Sequence, residues 1–160
     1  MSADTAFARR AHEEKWRPTL KLAIEEVFEI MLGRQVEPRE QGELKVKGGF
    51  TAMVGLAGAL CGVFTVCCEA ETARRMACCM LGDVAASEDH VADAVGEICN
   101  MIAGNFKNKL AGTDERCMLS VPSVVSGGDY NFRSMADGDS IAMVLALEGA
   151  PVIVRLQLHS

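Results

Sequence analysis

The chain has 160 residues, 49% of them hydrophobic and 5% aromatic, with a net charge of −6, which is enough apolar material for one sizeable core and argues for a single domain. The acidic balance and the lack of a Lys/Arg run interleaved with aromatics argue against nucleic-acid binding, where phosphate neutralisation supplies most of the affinity. No apolar stretch reaches the roughly 20 residues that span a bilayer, and Met1 to Arg17 carries both signs of charge, unlike a secretory signal.

The expectation is therefore a cytoplasmic protein with no membrane insertion. Seven cysteines, including the adjacent pairs Cys67-Cys68 and Cys78-Cys79, make an awkward disulfide framework and fit a reducing compartment better. No Cys-x-x-Cys occurs and His12, His90 and His159 are scattered, so no metal site is expected and the cysteines read as small buried apolar residues.

Residues 1–17 read as a polar lead-in and 18–160 as one domain. Pro18 suits the first turn of a helix, and Leu20, Ile24, Val27, Phe28 and Met31 recur at helical spacing up to Gly33. Val36 to Lys47 alternates apolar and polar residues around Leu44 and Val46, and the apolar runs Phe50 to Ala57 and Leu60 to Cys68 follow, separated by Gly58. These predict two or three antiparallel strands. Glu69 to Leu81 returns to helical composition, with Ala70, Ala73, Ala77 and Met80 on one side and Gly82 closing it.

A further helix is predicted over Ser87 to Gly112, with Ser87 as its N-cap. At about 100° per residue, Asp93, Glu97, Asn100 and Gly104 fall on one narrow face opposite Val91, Val95, Ile98 and Ile102. Gly96, Ala103 and Gly104 are expected beside them on the exposed side. A glycine inside a helix costs roughly 1 kcal/mol relative to alanine, so two around a Glu/Asn pair suggest that something approaches this surface closely. Cys99 lies about 100° from Asn100, toward the buried side, and reads as core.

Beyond Gly112 a strand is predicted over Arg116 to Val125, then a polar loop at Gly127-Gly128-Asp129, then Ser140 to Leu147 and Pro151 to Leu158 as a hairpin through Glu148-Gly149. Neither Gly48-Gly49 nor Gly127-Gly128 has phosphate-loop spacing. Ala52-Met53-Val54 is repeated as Ala142-Met143-Val144. Aligning Gly33 with Gly104 sets Glu26 opposite Glu97 and Glu29 opposite Asn100, so the first helix reads as a copy lacking the amide.

The run from Asp93 through Glu97 and Asn100 to Met101-Ile-Ala-Gly104, with Pro122 about twenty residues on, resembles the CheC/CheX/FliY chemotaxis phosphatase signature. The single complete motif resembles CheX more than CheC, which tends to carry it twice. The resemblance implies an α+β fold, long helices on a mostly antiparallel sheet with a CheC-like internal repeat. It implies hydrolysis of the aspartyl phosphate of a CheY-like response regulator, with Asn100 orienting the attacking water and Glu97 pairing with the regulator's lysine. Asp93, Gly96, Ala103 and Gly104 would support that face. No cofactor of its own is implied, since Mg²⁺ belongs to the regulator's site, and a homodimer is expected. The rival is a noncatalytic adaptor that binds a receiver domain; a small-molecule-binding domain comes last, because no convergent polar groups stand out in the sequence.

Overall fold

In the computed structural model, which describes residues 3–39, 46, 48–82, 87–110, 117–131, 135 and 138–159, helix α1 spans Ala3–Leu32 and contains Pro18. It therefore begins well before the expected start. Proline inside a helix removes one i→i−4 bond and costs about 3 kcal/mol or more, but Trp16, in the turn ahead of it, is buried in the core and anchors that turn. Gly33 closes the helix at φ +62°, its N–H donating to the Glu29 carbonyl at 2.9 Å, the left-handed ending that glycine adopts without penalty.

Seven strands follow among the described residues: β1 Val36–Arg39, β2 Gly49–Gly58, β3 Gly62–Cys68, β4 Cys117–Leu119, β5 Ser123–Gly127, β6 Ser140–Leu147 and β7 Ala150–Leu158. They form one sheet in the order β1-β6-β7-β3-β2-β4, with β5 also on β2, and every pairing is antiparallel. Helices α2 (Ala70–Leu81) and α3 (Glu88–Lys109) lie between β3 and β4 in the chain. Of the alternating segment Val36 to Lys47, only Val36–Arg39 is seen as strand; Leu44 and the neighbouring residues 40–45 lie outside the described residues, as does Gly112. The β6–β7 turn has both central residues at positive φ, Glu148 at 51° and Gly149 at 84°, as a two-residue hairpin matched to strand twist requires.

The single strand expected over Arg116 to Val125 is two. Leu119 pairs with Leu56 and Ser123 with Met53, so four steps on one strand face three on the other: a bulge. Pro122 lies inside it, without an N–H to offer a ladder. Ser120 bridges the gap, its N–H donating to the Gly55 carbonyl at 2.9 Å and its hydroxyl accepting from the Gly55 N–H at 2.8 Å.

One sheet face carries Ala52, Val54, Phe64, Val66, Met143, Leu145, Val154 and Leu156 into a core shared with the helices. Helix α3 runs through the middle of that layer, against α1, α2 and strands β2 to β5. Phe106 meets Phe64 edge to face, with centroids 5.4 Å apart. The Cys99 thiol lies 3.8 Å from the carbonyls of both Ala52 and Phe64.

The two-half organisation is present, since each long helix is followed by strands that complete the other half's sheet, β1 on β6 and β4 and β5 on β2. The repeated tripeptide is out of step with it. Ala52 and Val54 face the helices, whereas in the second copy it is Met143 that joins the core, so Ala142 and Val144 point the other way.

Candidate functional site

Helix α3 is capped and polarised by its own sequence. The Ser87 hydroxyl accepts from the His90 N–H at 3.2 Å, Glu88 and Asp89 occupy the first turn, and Lys107 and Lys109 the last, each on the side the helix dipole favours. Val91, Ala94, Val95, Ile98, Cys99, Ile102 and Phe106 are buried along its inner side. A helix so embedded is a rigid mount for whatever its outer side carries.

That outer side carries Asp93 and Glu97 exposed, with Asn100 and Gly104 half-buried. The structure brings these four to one stripe. Neither the Glu97 nor the Asn100 side chain has a hydrogen-bond partner among the described residues, so both remain available to an incoming molecule. Positions three apart on a helix stand about 5–6 Å from each other, close enough for one rigid surface to make two contacts at once.

Gly96 and Ala103 are not on that surface. Both are buried, Gly96 because the strand after the bulge packs beside the stripe. A Cβ built on Gly96 would stand 3.2 Å from Val124 Cγ2 and 3.5 Å from Pro122 Cβ. The close approach inferred for this glycine is made by the chain's own strand. Gly104 is more open, with Leu119 Cδ1 at 3.9 Å from its would-be Cβ. The bulge leaves Val121 84% exposed and Pro122 exposed beside Gly96, so an apolar lip borders the polar stripe. No local spacing in the sequence signals that lip.

The counterpart on α1 is spent internally. Glu26, aligned with Glu97 in the repeat, accepts hydrogen bonds from Lys109 at 2.8 Å and Asn105 at 2.8 Å, both on α3. The Lys109 bond, then the Asn105 bond, holds its carboxyl below the usual carboxylate range. Burial pushes the Cys99 thiol up to about 12, so a nucleophilic thiolate beside Asn100 is not part of the site. Among the described residues no group of three or more His, Cys, Asp or Glu is placed to hold a metal ion, and no helix is long and apolar enough to cross a membrane.

The family model for chemotaxis phosphatase CheX matches residues 50–145, which include Asp93, Glu97, Asn100 and Pro122. The chain belongs to the CheX family. Its CheX-type sequence is 27% identical over 100 residues to the CheY-P phosphatase CheX of Thermotoga maritima, a match covering 61% of this chain and 64% of that relative. The match thus spans just under two thirds of the relative's length. The CheX fold is equally plain in solved structures. The chemotaxis protein CheX of Desulfovibrio desulfuricans superposes with a TM-score of 0.80 at 25% identity, covering 91% of this chain and 99% of that one. The CheX-CheY-BeF3-Mg²⁺ complex from Borrelia burgdorferi gives 0.74 at 22%, covering 91% and 98%.

Proposed function

We propose that this CheX-family chain hydrolyses the aspartyl phosphate of a CheY-like response regulator, with Asn100 and Glu97 as the residues that act. The observation carrying this reading is the Glu97–Asn100 pair, unpartnered among the described residues, on the outer stripe of an embedded helix. The Thermotoga relative is a CheY-P phosphatase, and the Borrelia structure joins a CheX to CheY. Both support the reading.

In the reaction, a water oxygen bonds to phosphorus, the bond from phosphorus to the aspartyl oxygen breaks, and inorganic phosphate and a free carboxylate result. The Asn100 carboxamide accepts a hydrogen bond from the water and aligns it without titrating. Glu97, one turn away, pairs with the regulator's phosphate-contacting lysine and sets the register of docking. Asp93, Gly96, Ala103 and Gly104 support the surface, Gly96 by seating the strand beside it. The Mg²⁺ involved is the regulator's own.

One core cluster running from Trp16 to Leu158 supports a single domain, and because Trp16 belongs to it the domain reaches back past the expected start at residue 18 into α1. The edge strand β4 and its bulge expose Met118 and Val121, which supports pairing of a second copy there and a homodimer. Seven free thiols support a cytoplasmic setting. The deciding experiment follows the decay of a phosphorylated CheY-like regulator from the same cell with and without the protein. Accelerated decay supports the phosphatase. Binding with unchanged decay overturns it in favour of the adaptor.

A further inference from the structure

The sheet face turned away from the helices holds a second feature, independent of the α3 stripe. Thr51 on β2, Thr65 and Cys67 on β3, and Ile153 and Arg155 on β7 are at alternate positions of three adjacent strands and line a cavity of about 210 Å³ that Tyr130 flanks. The Thr51 hydroxyl donates to Cys67 Sγ at 3.2 Å. A hydroxyl has one proton, so Tyr130 Oη, 2.7 Å away, is the donor to Thr51. Burial pushes the Tyr130 phenol above its ordinary value, consistent with a neutral donor.

That chain satisfies one wall and leaves the other open. Thr65 is 5% exposed, yet its hydroxyl has no hydrogen-bond partner among the described residues. Arg155, directly across the strand pair from Thr65, has no carboxylate partner among them either. Among the described residues the lining contains no Asp or Glu. The Thr65 hydroxyl is thus open to the cavity rather than sealed in the core, and a guanidinium offers two parallel N–H donors to a planar acid group.

We infer that this cavity binds a small organic anion, its acid group held by the Arg155 guanidinium and the Thr65 hydroxyl and its short apolar body against Ile153 and Cys67. The volume equals about seven waters at roughly 30 Å³ each, below the roughly 300–1,000 Å³ of sites for larger ligands. It therefore suits the acid group and short body of a short-chain carboxylate.

Calorimetric titration of the full chain with butyrate, succinate and inorganic phosphate tests the assignment. Saturable binding of either carboxylate is expected, weakened about tenfold or more in Arg155→Gln and in Thr65→Val. No carboxylate binding, binding of phosphate alone, or affinities unchanged in both variants would overturn it. Arg155 is exposed, so Arg155→Gln folds and decides the matter should Thr65→Val prove unstable. Regulator dephosphorylation is a separate readout, and its failure leaves this site untouched.

Discussion

Lys109 Nζ lies 2.8 Å from Glu26 Oε2 and 3.0 Å from Oε1, joining α3 to α1. Asn105 donates to the same carboxylate and also to the Ala23 carbonyl at 3.3 Å. The half of the fold that lacks the complete motif thus uses its glutamate to fasten the half that has it. Because these bonds hold the Glu26 carboxyl below its ordinary value, the folded state binds its proton less readily than the unfolded chain does. The contribution is fully present above the ordinary carboxylate value and is lost as pH falls through the lowered one. Urea midpoints of the wild type and Glu26→Gln, taken across the acid range, should differ at neutral pH and converge in acid. A difference that stays constant with pH would refute the linkage.

Gly96 separates two explanations of why a glycine sits in this helix. If it clears space for the chain's own strand, side-chain size at this position governs stability before it governs activity. An alanine gains about 1 kcal/mol of helix propensity and meets only one methyl, Val124 Cγ2, at less than ordinary contact distance. Gly96→Ala is therefore expected to stay within about 1 kcal/mol of wild type. Gly96→Leu must push Pro122 and Val124 away and should lose about 1–3 kcal/mol as overpacked sites do. Thermal or urea unfolding reads both. A leucine variant as stable as wild type would show that the space belongs to a partner instead.

Much of this molecule could be read from local pattern, and the misreadings share a cause. The α3 stripe, the Gly82 ending of α2 and the Glu148-Gly149 hairpin each depend on residues within a few positions of one another, so periodicity and turn chemistry suffice. Pro18 marks a helix start by local rule, yet the burial of Trp16, a tertiary effect, carries the helix across it. Gly96 falls on the exposed side by helical pattern alone, because that pattern cannot say whether a gap faces a partner or a bulged strand some two dozen residues later. The outer cavity gathers Thr51, Thr65 and Arg155 from three strands. No spacing within any one strand announces it.

The seven cysteines should divide by burial. Cys61 and Cys79 are exposed, while Cys68 and Cys99 are buried, and desolvation pushes each of those two thiols up to about 12. At about pH 8 a thiol of that value is thiolate only about one part in 10⁴, and thiolate is the reacting form. An aromatic disulfide reagent added to the native protein should label Cys61 and Cys79 quickly and reach Cys68 and Cys99 only on unfolding, as peptide mass spectrometry would show. Native labelling of Cys99 at the rate of Cys61 would mean that the α3 contact with β2 and β3 opens readily. It would also bring a reactive thiol beside Asn100 into the proposed site.

Asn100 and Glu97 are assigned different tasks, and the assignment has separate consequences for rate and affinity. On the proposed reading Asn100 aligns a water only once a regulator is docked, so Asn100→Ala should slow the bound-state step by about 10² or more while binding persists, as loss of a positioning group does. On the same reading Glu97 works through docking. An exposed carboxylate paired with a lysine at a partner's rim is worth about 1–2 kcal/mol, so Glu97→Ala should weaken binding about tenfold. Single-turnover decay at saturating phosphatase, set beside a binding titration with a beryllofluoride-loaded regulator, separates the two. If Asn100→Ala lowers affinity and rate in equal proportion, its amide is a docking contact and the water must be aligned by the regulator itself. If both variants leave affinity intact and only rate falls, Glu97 acts on the phosphoryl group's surroundings rather than on register, and the lysine pairing is wrong.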